Sequence, residues 1–115
     1  MEDRKEIMEN LASELRRGTL ILSVLSQLDE PRYGYALVQR LEKKGIAIDP
    51  NTLYPLLRRL EKQGLLVSEW EVTEAKPRKY YRRTEYGNDI FRQLKEQWKS
   101  LSTNMEQLLE EKYDD

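Results

Sequence analysis

The sequence predicts a mainly α-helical fold with one small β-hairpin and a long C-terminal helix, and three observations carry that prediction. Stretches before residue 65 place apolar residues at the three- and four-residue intervals of helices buried on one side. Two short stretches of strand-like composition, Leu66 to Val72 and Arg78 to Arg83, flank the loop "TEAKP". From Thr84 onward the helical interval resumes and holds for nearly three heptads. A chain of 115 residues has room for one core. The division expected is therefore a compact unit over residues 1–84 and a helical extension over residues 85–115.

Glu6 to Leu28 reads as the first helix, with Ile7, Leu11, Leu15, Leu22, Leu25 and Leu28 on one stripe and Gly18 as its weak point. "DEPRYG" supplies acids and a proline, which suit a loop leading into a helix. Tyr35 to Lys44 forms the second helix, burying Leu37, Val38 and Leu41, and Gly45 closes it. Asp49 and Pro50 fit the N-cap and first position of a third helix, "NTLYPLLRRLEKQG", which stops at Gly64. Pro55 falls within its first turns, where a missing N–H costs least. At about 100° per residue, Leu53, Leu56, Leu57 and Leu60 share a core face, whereas Asn51, Pro55, Arg58 and Lys62 point the opposite way, flanked by Tyr54 and Arg59.

The hairpin carries Arg78, Lys79, Arg82 and Arg83 on its second strand and Lys76 on its loop, a cationic ribbon next in sequence to a cationic helix. Thr84 can N-cap the last helix, which runs to about Lys112 and spans ~40 Å at about 1.5 Å per residue. Phe91, Leu94, Trp98, Leu101, Met105 and Leu108 fall at alternating intervals of three and four, the seam of a coiled coil. Such a seam asks for a partner helix, from a second copy of the chain or from the first helix of the same one.

Charge is unevenly placed. Residues 32–83 hold twelve Lys and Arg against six Asp and Glu, whereas the flanks together hold eight against fifteen. A basic middle within a chain of net charge −1 suits a local contact with a polyanion, or else an ordinary solvated surface. The absence of cysteine and histidine removes disulfides, thiolate chemistry, the commonest metal ligand and the commonest general base. No catalytic constellation, metal site or cofactor is expected. No apolar run approaches the ~18 residues of a membrane span, and Met1 to Asn10 is too charged for a signal peptide, so a cytoplasmic protein without membrane contact is expected.

Helix, helix, helix, hairpin is the order of a winged helix-turn-helix, with its third helix suited to a major groove and its wing to the backbone or minor groove. The polyanion expected is then double-stranded DNA, with part of the affinity falling as salt rises.

Three segments, "ELRRGTLILSVLSQLDEPRYGYALVQRLEKKG", "NTLYPLLRRLEKQGLL" and "RKYYRRTEYG", closely resemble the PadR-like transcriptional regulators over residues 14–87. The most specific pieces are Tyr33-Gly34-Tyr35, Thr52-Leu53-Tyr54-Pro55, Arg59-Leu60-Glu61, Gly64-Leu65, Tyr80-Tyr81 and Thr84-Glu85 with Gly87. The single long terminal helix resembles the small-subfamily form, in which that helix and the first one build the dimer. The resemblance implies a homodimeric repressor that binds an inverted-repeat operator. It implies DNA contacts from Tyr54 with its neighbours on the third helix and from the basic wing, with Tyr81 packing between wing and core. With the donors on the outward helix face, the contacts expected are Asn51, Thr52, Tyr54, Pro55, Arg58, Arg59 and Lys62, and Lys76, Arg78 and Lys79 on the wing. Two positions depart from the family pattern. Arg83 stands where an aliphatic residue is usual, which either opens the inner face of the second strand or forms an ion pair. The wing loop lacks glycine.

Trp98, paired with its symmetry mate, would form a flat-walled pocket for a small hydrophobic or aromatic effector, with Met8, Leu11 and Leu15 as the other wall. Against this, a large seam residue is commonly just core. Three other classes compete: a winged-helix protein-interaction module without DNA binding, an RNA-binding winged helix, and a small hydrolase. The clustered cations oppose the first, a symmetric dimer with two recognition helices the second, and the lack of a nucleophile–base pair the third.

Overall fold

The computed structural model describes residues 3–73 and 75–111. Eight elements follow one another: α1 (Arg4–Arg17), α2 (Leu20–Ser26), β1 (Arg32–Tyr33), α3 (Gly34–Lys43), α4 (Pro50–Lys62), β2 (Leu66–Glu71), β3 (Arg78–Arg83) and α5 (Glu85–Glu110). The fold is the winged helix-turn-helix with a long C-terminal helix that the sequence predicts. No helix among the described residues is long and apolar enough to cross a membrane.

The first expected helix is two. Thr19 turns both its N–H and its hydroxyl onto the Arg16 carbonyl, at 3.0 and 2.8 Å, and so ends α1 in a tight turn at Gly18. Ser23 N–H then bonds to the Thr19 carbonyl at 2.9 Å to open α2. The two segments differ in environment: Val24 and Leu25 of α2 are buried, whereas α1 buries none of its residues.

A second difference is β1, in a stretch expected to be loop. Arg32 pairs with Tyr81 and Tyr33 with Tyr80, so the hairpin gains a third strand and the antiparallel sheet runs β1-β3-β2. Along the other edge of β3, β2 pairs from Leu66↔Arg83 to Glu71↔Arg78. One core joins these parts, with Leu25 and Leu28 meeting Leu37 and Leu41 of α3, Leu53, Leu57 and Leu60 of α4, and Tyr81 of the sheet. Tyr81 is the packing residue expected between wing and core.

Helix ends follow the expected caps. The Asp49 carboxylate accepts the Asn51 N–H at 2.7 Å to start α4. Gly45 and Gly64 end α3 and α4 with φ of 87° and 85°, and the following residues, Ile46 and Leu65, reach back to the Leu41 and Leu60 carbonyls at 2.9 Å. α5 ends at Glu110; Lys112, the expected limit, lies outside the described residues. The wing loop takes its first turn without glycine, because the Glu71 carboxylate accepts from the Thr73 hydroxyl at 2.8 Å and the Thr73 N–H at 3.2 Å. Those bonds hold the Glu71 carboxyl below its ordinary range.

Arg83 neither opens the inner face of β3 nor forms an ion pair among the described residues. Its Nη1 donates to the Leu25 carbonyl and its Nε to Asn88 Oδ1 at 2.7 Å, while its guanidinium lies 4.5 Å from the Phe91 ring centre. One side chain thus ties β3, the end of α2 and the start of α5 together. Burial pulls its pKa below the ordinary arginine value, and the Asp29 charge opposes that pull.

The start of α5 is pinned to the end of α4. Thr84 N–H bonds to the Leu65 carbonyl at 3.1 Å, its hydroxyl to the Gly64 carbonyl at 2.7 Å, and its oxygen accepts the Gly87 N–H at 2.9 Å. A Cβ on Gly87 would stand 2.0 Å from the Leu65 oxygen, a backbone atom with nowhere to go. Gly87→Ala is expected to lower unfolding free energy by about 2–3 kcal/mol, read from urea melts. Unchanged stability would mean that this joint yields.

Candidate nucleic-acid interface

Helix periodicity makes α4 a presenter. With Leu53, Leu57 and Leu60 in the core, Asn51, Thr52, Tyr54, Pro55, Arg58, Arg59 and Lys62 are all left exposed. Pro55 sits inside the helix and has no N–H to give the Asn51 carbonyl, so an acceptor also stands on this face.

Between α4 and the hairpin lies an open cleft of about 350 Å³, lined by Tyr33, Tyr54, Arg58, Trp70, Arg78 and Lys79. The Arg78 guanidinium stacks 4.6 Å from the Tyr33 ring centre, and Tyr33 meets Tyr80 edge-on at 5.4 Å. Stacking engages the face of a guanidinium rather than its N–H edge. Lys79 is held from three sides: its Nζ lies 3.7 Å from a Glu61 carboxylate oxygen, 5.5 Å from the Tyr81 ring centre and 6.0 Å from that of Trp70. Ser68 Oγ donates to the other Glu61 oxygen at 2.5 Å and fixes that carboxylate. The cleft therefore offers two guanidinium groups, the phenols of Tyr33 and Tyr54, an indole and a partly neutralised ammonium, a set suited to phosphate, sugar and base edges.

The site residues expected from sequence divide among three places. Tyr54, Arg58, Arg78 and Lys79 converge on the cleft beside the wing. Thr52, Pro55 and Arg59 line the opposite flank of α4, in a groove of about 460 Å³ shared with Arg17, Leu20 and Ile21. Asn51, Lys62 and Lys76 line neither and are exposed. Sequence reasoning omitted Tyr33 and Trp70. Trp70 was accessible in principle, since strand alternation and the Trp70↔Lys79 pairing put both side chains on one face of the sheet. Tyr33 carries no such signal, because its place depends on a pairing with residues almost fifty positions away.

The C-terminal seam also divides. Phe91 and Leu94 pack against the chain's own core, whereas Trp98, Leu101, Met105 and Leu108 are exposed, Leu101 at 62% and Leu108 at 64%. On α1, Met8, Leu11 and Leu15 are exposed too, Leu15 at 80%. α5 packs on α2, the second part of the expected first helix. Trp98 lines an open groove of about 320 Å³ with Gly18, Ile21, Leu22, Leu94 and Leu101, and Met8, Leu11 and Leu15 are not among its walls within one chain.

A sequence model described as the transcriptional regulator PadR-like family matches residues 21–93. Among solved structures, the chain is similar to a PadR family transcriptional regulator from Eggerthella lenta, with 54% identity and a TM-score of 0.88 over 94% of this chain and 96% of that one. It is similar to a PadR-like transcription factor from Bacteroides fragilis, with 36% identity and a TM-score of 0.71 over 86% and 98%. A PadR-like transcriptional regulator from Bacillus cereus shares 30% identity at a TM-score of 0.78 over 87% and 100%. No curated protein sequence matches the chain.

Tyr54 owes its place to a missing side chain, since a Cβ on Gly34 would stand 2.4 Å from the Tyr54 Cε1 and 2.6 Å from its hydroxyl oxygen. Gly34→Ala is expected to displace the ring, at a cost of about 1–2 kcal/mol. The penalty is expected to vanish when Tyr54→Ala is already present, as a double-mutant cycle in urea would read. An equal penalty in both backgrounds would mean that Tyr54 is not what position 34 accommodates.

Proposed function

The chain belongs to the PadR-like family of transcriptional regulators, and from that premise we propose that it is a homodimeric repressor that binds an inverted-repeat DNA operator in the cytoplasm. A regulatory family fits a role without catalysis. The observation that carries the reading is the exposed face of α4 beside the cationic, aromatic cleft of the wing. In this reading α4 lies in the major groove, Asn51, Thr52, Tyr54, Pro55, Arg58, Arg59 and Lys62 face bases and phosphates, and Lys76, Arg78 and Lys79 track the backbone. Residues 1–84 form the reading unit and residues 85–115 the dimerising one.

Dimerisation is supported by two unpartnered apolar faces, Met8, Leu11 and Leu15 on α1 and Trp98, Leu101, Met105 and Leu108 on α5. Contiguous exposed apolar surface of this kind marks an interaction site. Phe91 and Leu94 carry the seam back into the core. A second copy would bring its own Trp98 toward the groove that Trp98 forms with α2, giving a small aromatic effector planar walls, with α1 of the partner covering them. Effector binding would favour a dimer whose recognition helices no longer match half-sites about one DNA turn apart, and so relieve repression.

The deciding experiment is an anisotropy titration with the duplex upstream of the protein's own gene, at two salt concentrations, with an unrelated duplex as competitor. Tight, salt-sensitive binding that survives the competitor is expected; weak and equal binding to both duplexes would overturn the reading. Arg58→Ala and Lys79→Ala are each expected to weaken operator binding by about 1 kcal/mol or more without lowering the melting temperature. Full affinity in both variants would remove the proposed reader face. Leu101→Glu with Leu108→Glu, both exposed in the single chain, is expected to give folded monomers by light scattering. A dimer that persists would place the interface elsewhere.

A further inference from the structure

The two flanks of α4 are served by different parts of the chain. On one flank stand Tyr54 and Arg58 with the wing across the cleft from them. On the other stand Thr52 and Arg59, and there the neighbour is the last turn of α1: Arg17 lines a groove with Thr52, Pro55 and Arg59. Arg16 and Arg17 line a second groove of about 380 Å³ with Ser13, Ile48, Asp49 and Thr52, at the start of the same helix. Both arginines are exposed, and neither forms an ion pair among the described residues.

A helix with its side chains is about 10–12 Å across and the major groove is about 12 Å wide, so a helix in that groove has a phosphate backbone along each flank. The wing can follow only one of the two strands. We propose that the end of α1, through Arg17 and Arg16, is a second backbone clamp that takes phosphodiester oxygens of the other strand, with Arg59 between it and the groove. The proposal rests on the DNA-binding reading above and adds a contact made by a helix otherwise assigned to dimerisation. Arginine suits the role, because its planar fork takes two phosphate oxygens at once and keeps its charge. The competing explanation is that basic residues in the last turn of α1 only complement the helix dipole. That explanation predicts no effect on DNA.

The test is the dependence of binding on salt, measured for the full-length chain and its Arg17→Gln, Arg17→Lys and Arg16→Gln/Arg17→Gln variants on the operator and on an unrelated duplex. Each phosphate contact contributes about one to the slope of log affinity against log salt. Because the variant sits in both protomers of the dimer, Arg17→Gln is expected to reduce the slope by about 2 and to weaken both duplexes by the same factor, leaving their ratio unchanged. The double variant is expected to lose about 4, and Arg17→Lys to restore the loss of the single variant. Variants that keep the wild-type slope would overturn the proposal, including any that lose affinity without losing slope, since that would be an indirect effect of α1 on the fold or the dimer. Failure of the wild-type chain to bind either duplex in a salt-dependent way is a separate result, which sinks the DNA-binding reading and this clamp together.

Discussion

Two neighbouring carbonyl groups, those of Gly64 and Leu65, fix the layout of the molecule. They lie where α4 has ended and β2 is about to begin, and Thr84 bonds to both. The same threonine caps α5, and the bare Cα of Gly87 lets that helix pass against the Leu65 oxygen. The end of the presenting helix, the root of the wing and the start of the long helix are therefore one rigid joint. Arg83 reinforces it from the other side by tying the Leu25 carbonyl, Asn88 and Phe91 together.

The arrangement of charge follows from the same layout. Helix periodicity turns the leucines of α4 inward and its polar residues outward, and strand alternation puts Trp70 and Lys79 on the face of the sheet that looks toward them. Glu61, the acid of this surface nearest Lys79, is held by Ser68 and moderates that lysine. Attraction for a polyanion is thus spread over several partly engaged cations, which favours a fitted contact over indiscriminate adhesion.

Much of this was legible in the sequence because it is local. Asp49 and Pro50 announce the start of α4, Gly64 its end and Thr84 the start of α5, each through a cap that needs only three or four neighbouring residues. The face of α4 could be read for the same reason. What escaped depends on distant partners or on competition for one atom. β1 exists only because Tyr80 and Tyr81 lie beside it, and at Gly18, legible as a weak point but not as an end, the Thr19 hydroxyl takes the Arg16 carbonyl where the helix breaks. Arg83 could be flagged as unusual, but its three partners come from elements that meet only in the folded chain. The wing-side cleft was partly visible, its cations and Tyr54 but not Tyr33 and Trp70, and on the other flank Thr52, Pro55 and Arg59 could be read but not Arg17.

The packing of Tyr54 against Gly34 gives sequence drift at this spot a direction. A lineage that first exchanges the tyrosine for a short residue frees position 34 to acquire a side chain without strain. The reverse order passes through an ancestor with a displaced ring on its presenting helix. The two positions, twenty residues apart and in different helices, are sterically one unit.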